Sequence, residues 1–126
     1  MKAIRFITRS THGLADYAGA VVLLTTPLIA NFHAASVLAF WISISAGILL
    51  LTYSLLTDYL LSLKKIIPFN FHLVLDAIAS IVFLIVPFAF GFEGLVKFFF
   101  LANGGLVLAA VLLTSNPSGE RSISLN

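Results

Sequence analysis

No cysteine occurs in the 126 residues, which excludes disulfides and thiolate chemistry and removes cysteine-ligated metal and haem with them. Charge is almost as scarce. Charged residues make up 10% of the chain, against about 25% in ordinary soluble domains. The net charge of +2 comes without the clustered basic face that a nucleic-acid partner requires, so no such partner is expected. Also missing are a glycine-rich phosphate loop, a dinucleotide fingerprint and a nucleophile beside an oriented base. Those absences point away from an enzyme, and no cofactor is expected.

What is present is apolar. Hydrophobic residues fill 60% of the chain, above the roughly 45–50% of soluble domains. Four stretches, 14–31, 34–57, 71–92 and 95–114, are long enough to cross a hydrocarbon core of about 30 Å as helices. The sequence therefore predicts an all-α membrane protein: one domain over residues 1–126, with four transmembrane helices, outer turns at 31–34 and 92–94, and the lipid bilayer as its partner. Residues 1–31 are basic and then apolar, like a secretory signal, but they carry Asp16 and are copied internally, which reads as a retained first helix. Lys2, Arg5, Arg9, Lys64, Lys65 and Arg121 fall on the side shared by the termini and central loop, and only Lys97 on the other. That bias predicts both termini in the cytoplasm. The tail at Asn116-Pro117-Ser118-Gly119 reads as a helix stop.

The chain also repeats itself. His12-x3-Asp16-x10-Pro27-x4-Phe32 returns with the same internal spacing as His72-x3-Asp76-x10-Pro87-x4-Phe92, an offset of 60 residues at all four positions. This reads as a tandem duplication, with one repeat over about 12–57 and the other over about 72–114, the two helix pairs running parallel. Gly47 matches Gly104 at an offset of 57, because the second outer turn is shorter.

At 100° per residue, His12, Asp16, Gly19, Leu23 and Pro27 share one stripe of the first span, as do His72, Asp76, Phe83 and Pro87 in the third. Those stripes are expected to face inward, with the acids shallow, about 6 Å beyond their histidines. Ser10 or Thr11 is placed to cap the first helix and Asn70 the third. Ala35, Ala39, Ser43 and Gly47 make a small-residue packing row, and Asn103-Gly104-Gly105 a second contact where the asparagine bonds across to a neighbour. Pro27 and Pro87 read as helix kinks. The mixed segment 58–70 suits the cytoplasmic headgroup zone. Phe32, Phe40, Trp41, Phe88, Phe90, Phe92, Phe98, Phe99 and Phe100 suit an interfacial aromatic belt.

A helix carrying Asp, a small residue, Pro and Phe, followed by a glycine-containing helix, twice over, resembles the SPW-repeat bacterial membrane proteins, whose unit is two transmembrane helices marked by Ser-Pro-Trp. Here the tripeptides are Thr26-Pro27-Leu28 and Val86-Pro87-Phe88, so the proline alone is kept in each. The run from Tyr53 through Asp58-Tyr59 to Pro68, His72, Asp76 and Phe90-Gly91-Phe92 is similar to the central signature of a His-containing subgroup. The resemblance covers about 12–114. It implies the four-helix architecture and a bacterial inner-membrane address, and brings no activity with it.

His12, Asp16, Asp58, His72 and Asp76 are expected to gather in the cytoplasmic third of the bundle. Several chemistries fit that set. Each His can bond its own Asp at i,i+4 or the Asp of the other repeat, tying helices together, as in a structural or accessory subunit of a homo-oligomer or larger membrane complex. The cluster can instead handle protons or a ligand, as in a small transporter or a ligand- or cation-binding protein. His12, Asp16, His72 and Asp76 can hold a divalent metal, although the Glu-x-x-His pattern of four-helix di-metal proteins is absent. Haem between His12 and His72 is the remaining reading. His33 reads as a solvated loop residue.

Overall fold

The computed structural model describes residues 6–59 and 62–114. These form α1 (Arg9–Ile29), a single-turn α2 (Phe32–Ala35), α3 (Val37–Leu55), α4 (Phe69–Ala89) and α5 (Gly94–Leu113). All but α2 are long and apolar enough to cross a membrane, and no strand occurs among the described residues. The fold is all-α. Lys2, Arg5, Leu60, Leu61, Arg121 and the stop at 116–119 lie outside the described residues.

Both cluster-bearing helices start earlier than their apolar windows. Thr8, rather than Ser10 or Thr11, caps α1, its Oγ1 accepting the Thr11 N–H at 3.1 Å. Similarly, α4 begins at Phe69 directly behind Pro68, with Asn70 inside the first turn instead of capping it. Polar residues dilute an apolar window, yet they fit a first turn, whose N–H groups have no intrahelical acceptor. The consequence is that His12 and His72 sit inside regular helix, where their direction is fixed.

Each half is a hairpin, with α1 packed along α3 and α4 along α5. A glycine sits at both seams. A Cβ at Gly47 would meet Leu24 Cγ at 2.7 Å, and one at Gly104 would meet Leu84 Cγ at 2.9 Å, so the backbones approach closely because nothing larger fits. Ala39, Ser43 and Gly47 are buried as a row. Ala35 is not part of it. It is exposed on α2, because the helix breaks at Ser36, whose hydroxyl caps α3 by accepting the Ala39 N–H at 3.1 Å. Nor does Asn103 reach across: its Nδ2 donates to Phe99 O at 2.8 Å, within its own helix. Gly105 has nothing within 4 Å of an added Cβ, and on α1 the buried stripe passes through Ala20 rather than Gly19.

Pro27 and Pro87 are buried near the ends of α1 and α4. A proline has no N–H, so the carbonyl four residues back loses its helix partner. Behind Pro27 that carbonyl is Leu23 O, and Ser43 of α3 donates to it at 2.8 Å. Proline here opens a place for an interhelical bond. At the corresponding place in the second hairpin Phe100 stacks on Phe83, centroids 4.6 Å apart. Ser43→Ala is expected to lower stability by about 0.5–1.5 kcal/mol, read by denaturant unfolding in detergent; an unchanged midpoint would remove this bond from the account.

At the turn end of the first hairpin, Phe32 meets Phe99 edge-on at 5.0 Å, and Phe92, Phe99 and Phe100 are buried in the core. These four therefore leave the expected belt; Trp41, Phe88, Phe90 and Phe98 remain exposed. The turns themselves use positive φ at Asn31 (53°) and at Gly91 (67°). Because His12 meets Asp76 at one end and Phe32 meets Phe99 at the other, the hairpins run the same way. The segment after α3 folds back on it, with Asp58 N–H donating to Ile67 O and Ile67 N–H to Leu56 O, which leaves Leu63 and Ile66 exposed beside Lys64 and Lys65.

Candidate functional site

α1 and α4 each project a His and an Asp inward, one turn apart. His12, Asp16, His72 and Asp76 are 1%, 8%, 0% and 1% exposed, too little for water to solvate them, so their polar atoms must be satisfied by one another. They are, and crosswise. His12 Nε2 lies 2.8 Å from Asp76 Oδ2, and His72 Nε2 lies 2.7 Å from Asp16 Oδ2. Within a helix the separations are longer, 3.4 Å for His12–Asp16 and 3.2 Å for His72–Asp76. Of the two pairings open to the sequence, the short contacts take the one between hairpins.

The outer ring nitrogens are held just as symmetrically. His12 Nδ1 is 2.8 Å from Thr114 Oγ1, and His72 Nδ1 is 2.7 Å from Thr57 Oγ1. Each threonine hydroxyl already donates its proton to the carbonyl four residues back, Ala110 and Tyr53 respectively. Having one hydrogen, it can only accept from the ring. Both Nδ1 atoms therefore carry hydrogen, and both Nε2 atoms are aimed at carboxylates. Tyr53 adds a donor, its hydroxyl bonding Asp76 Oδ1.

Aromatic rings cover the side of the cluster nearest the central loop. Phe69 stacks on His72 at 6.0 Å and meets His12 edge-on at 5.6 Å, while Tyr59 lies edge-on to His72 at 5.4 Å. Tyr59 reaches this place because residue 13 is glycine; an added Cβ would stand 3.2 Å from its ring. Its hydroxyl points to Asp16 Oδ2 at 3.4 Å, and burial pushes that hydroxyl above its ordinary pKa, so it stays protonated and a donor. Arg9 lies over Phe69 at 4.9 Å. On the opposite side Asp16, Asp76 and Tyr53 form one end of a cavity of about 690 Å³ whose other walls are almost wholly apolar, among them Leu23 and Phe83.

Four of the five sequence candidates are thus brought together. Asp58 is not among them. It follows the end of α3 and faces outward, its carboxylate 3.6 Å from Arg9 with 52% of the side chain exposed, because the chain turns back at Thr57 before a second inward position is reached. His33 is exposed, edge-on to Phe40 at 5.3 Å. The haem reading fails on space, since carboxylate oxygens fill the region between the two imidazoles that a macrocycle would need. Thr57, Thr114, Tyr53, Tyr59 and Phe69 complete the site without having been singled out for it. A signal existed for two of them: Thr57 and Thr114 stand at the same offset of 57 as Gly47 and Gly104. No protein-family model matches the chain, and neither a curated protein nor a solved structure does.

Proposed function

We propose that the chain is a small multi-pass bacterial inner-membrane protein of the SPW-repeat kind, made of two tandem copies, that serves as a structural or accessory membrane subunit. The observation that carries this reading is the crosswise pairing: each histidine is bonded to the aspartate of the other hairpin and to a threonine, all inside the chain. A cluster that handled solutes from the cytoplasm would need water on its loop side, and there Phe69 and Tyr59 lie, both buried. Polar groups satisfied in this way tie helices together. The matching contacts at offsets of 60 and 57 support duplication. Arg9, Lys64 and Lys65 near the cluster end, against Lys97 at the other, support cytoplasmic termini.

A second reading, a small ligand- or cation-binding protein or transporter, is favoured by the apolar cavity that ends on Asp16 and Asp76, a volume within the range of ligand pockets, about 300–1,000 Å³. Native mass spectrometry after mild detergent extraction separates the two. A structural subunit is expected as a homo-oligomer or larger complex of fixed stoichiometry without an organic adduct. A monomer carrying one organic molecule per chain would overturn the structural reading.

A further inference from the structure

The geometry points to a structural divalent metal site at His12, Asp16, His72 and Asp76, taking a first-row transition-metal dication that pins the two hairpins together. Nε2 of the two histidines and Oδ2 of the two aspartates alternate around a ring with sides of 2.7, 3.4, 2.8 and 3.2 Å, and all four lie within 4.8 Å of one another. A small dication holds four nitrogen and oxygen ligands tetrahedrally at about 2.0–2.2 Å, which sets neighbouring donors about 3.3–3.6 Å apart. Small adjustments of rings already facing one another would seat the ion.

Three further features fit. Imidazole and carboxylate are the donor pair suited to zinc, iron or manganese. Two carboxylates balance a dication, so the occupied site would be neutral, which matters where charge is costly to bury. Each ligating ring also has its other nitrogen fixed by a hydrogen bond, to Thr114 or Thr57, the outer-shell support that orients metal-bound histidine. Four protein ligands with no open position define a structural rather than a catalytic centre. Such an ion would be loaded as the hairpins come together, since the ligands come from both. This inference rests on the interhelical tie proposed above and adds the metal to it.

The test uses full-length protein purified in detergent from cells grown with added zinc, analysed for metal, and in parallel from cobalt-supplemented cells, analysed by visible absorption. The expected result is about one zinc per chain, visible cobalt bands of a nitrogen and oxygen site, and at least a tenfold loss of zinc in Asp76→Asn preparations that remain monodisperse with wild-type helicity. Should Asp76→Asn not fold, Thr57→Val is the second variant. It leaves all four ligands in place, and its zinc is expected to be lost to chelator at a concentration at least tenfold lower than wild type requires. Under about 0.1 zinc per chain in wild type, equal zinc in wild type and folded Asp76→Asn, or equal chelator resistance in wild type and Thr57→Val overturns the inference. Metal-free protein in which His12 and Asp76 still prove energetically coupled would sink the metal alone and leave the tie standing.

Discussion

Asp76→Leu is expected to destabilise the protein by about 3–5 kcal/mol, the range for breaking a buried pair by removing one partner. Spacing alone suggests a smaller loss of about 1–2 kcal/mol, that of one histidine left without its acceptor. The structure raises it because Asp76 serves His12, Tyr53 and, at 3.2 Å, His72; the leucine would strand donors on α1, α3 and α4 together. Asp76→Asn keeps an acceptor oxygen and is expected to cost less, about 1–3 kcal/mol. Unfolding of both variants in detergent, followed by circular dichroism, gives the comparison. Equal midpoints for Leu and wild type would show that the carboxylate holds nothing together.

Gly47→Val is the second large effect, about 3 kcal/mol, at the upper end of overpacking costs. Its Cβ alone would stand 2.7 Å from Leu24 Cγ and 3.2 Å from Leu23 Cβ, and two further methyl groups follow. Leu23 is itself buried, so relief requires α1 and α3 to separate, loosening the Ser43 bond to Leu23 O as well. Gly105→Ala serves as the control. With nothing within 4 Å of the new Cβ, it is expected to cost no stability and to gain up to about 1 kcal/mol from helix propensity. Similar losses for both would contradict close approach as the cause at Gly47, since helix propensity by itself favours alanine over glycine.

The class and the inward stripes were legible because both rest on composition and period: apolar runs of membrane length, and polar residues every third or fourth position inside them. His12, Asp16, His72 and Asp76 stood out for the same reason, being polar where lipid leaves little choice. Partner choice was not legible. A histidine four residues before an aspartate can bond it directly, and only the approach of α1 and α4 makes the crosswise contacts the shorter ones. Asp58 was misplaced because sequence distance from His72 says nothing of the turn at Thr57 that points it outward. The buried phenylalanines were misassigned for a related reason: an aromatic at a helix end serves a lipid interface and a hairpin core equally well in one dimension. Thr57 and Thr114 escaped notice since a threonine at a helix end reads as an ordinary terminus until its hydroxyl is seen to meet a histidine.

The most direct measurement is a double-mutant cycle on His12 and Asp76, with unfolding free energies in detergent for wild type, His12→Ala, Asp76→Ala and the double variant. A tie between hairpins predicts a coupling of about 1.5–3 kcal/mol, as for a hydrogen bond to a charged group, and a smaller value for His12 with Asp16, its neighbour on α1 at 3.4 Å. A His12–Asp76 coupling indistinguishable from zero, or one smaller than that of His12–Asp16, would contradict it.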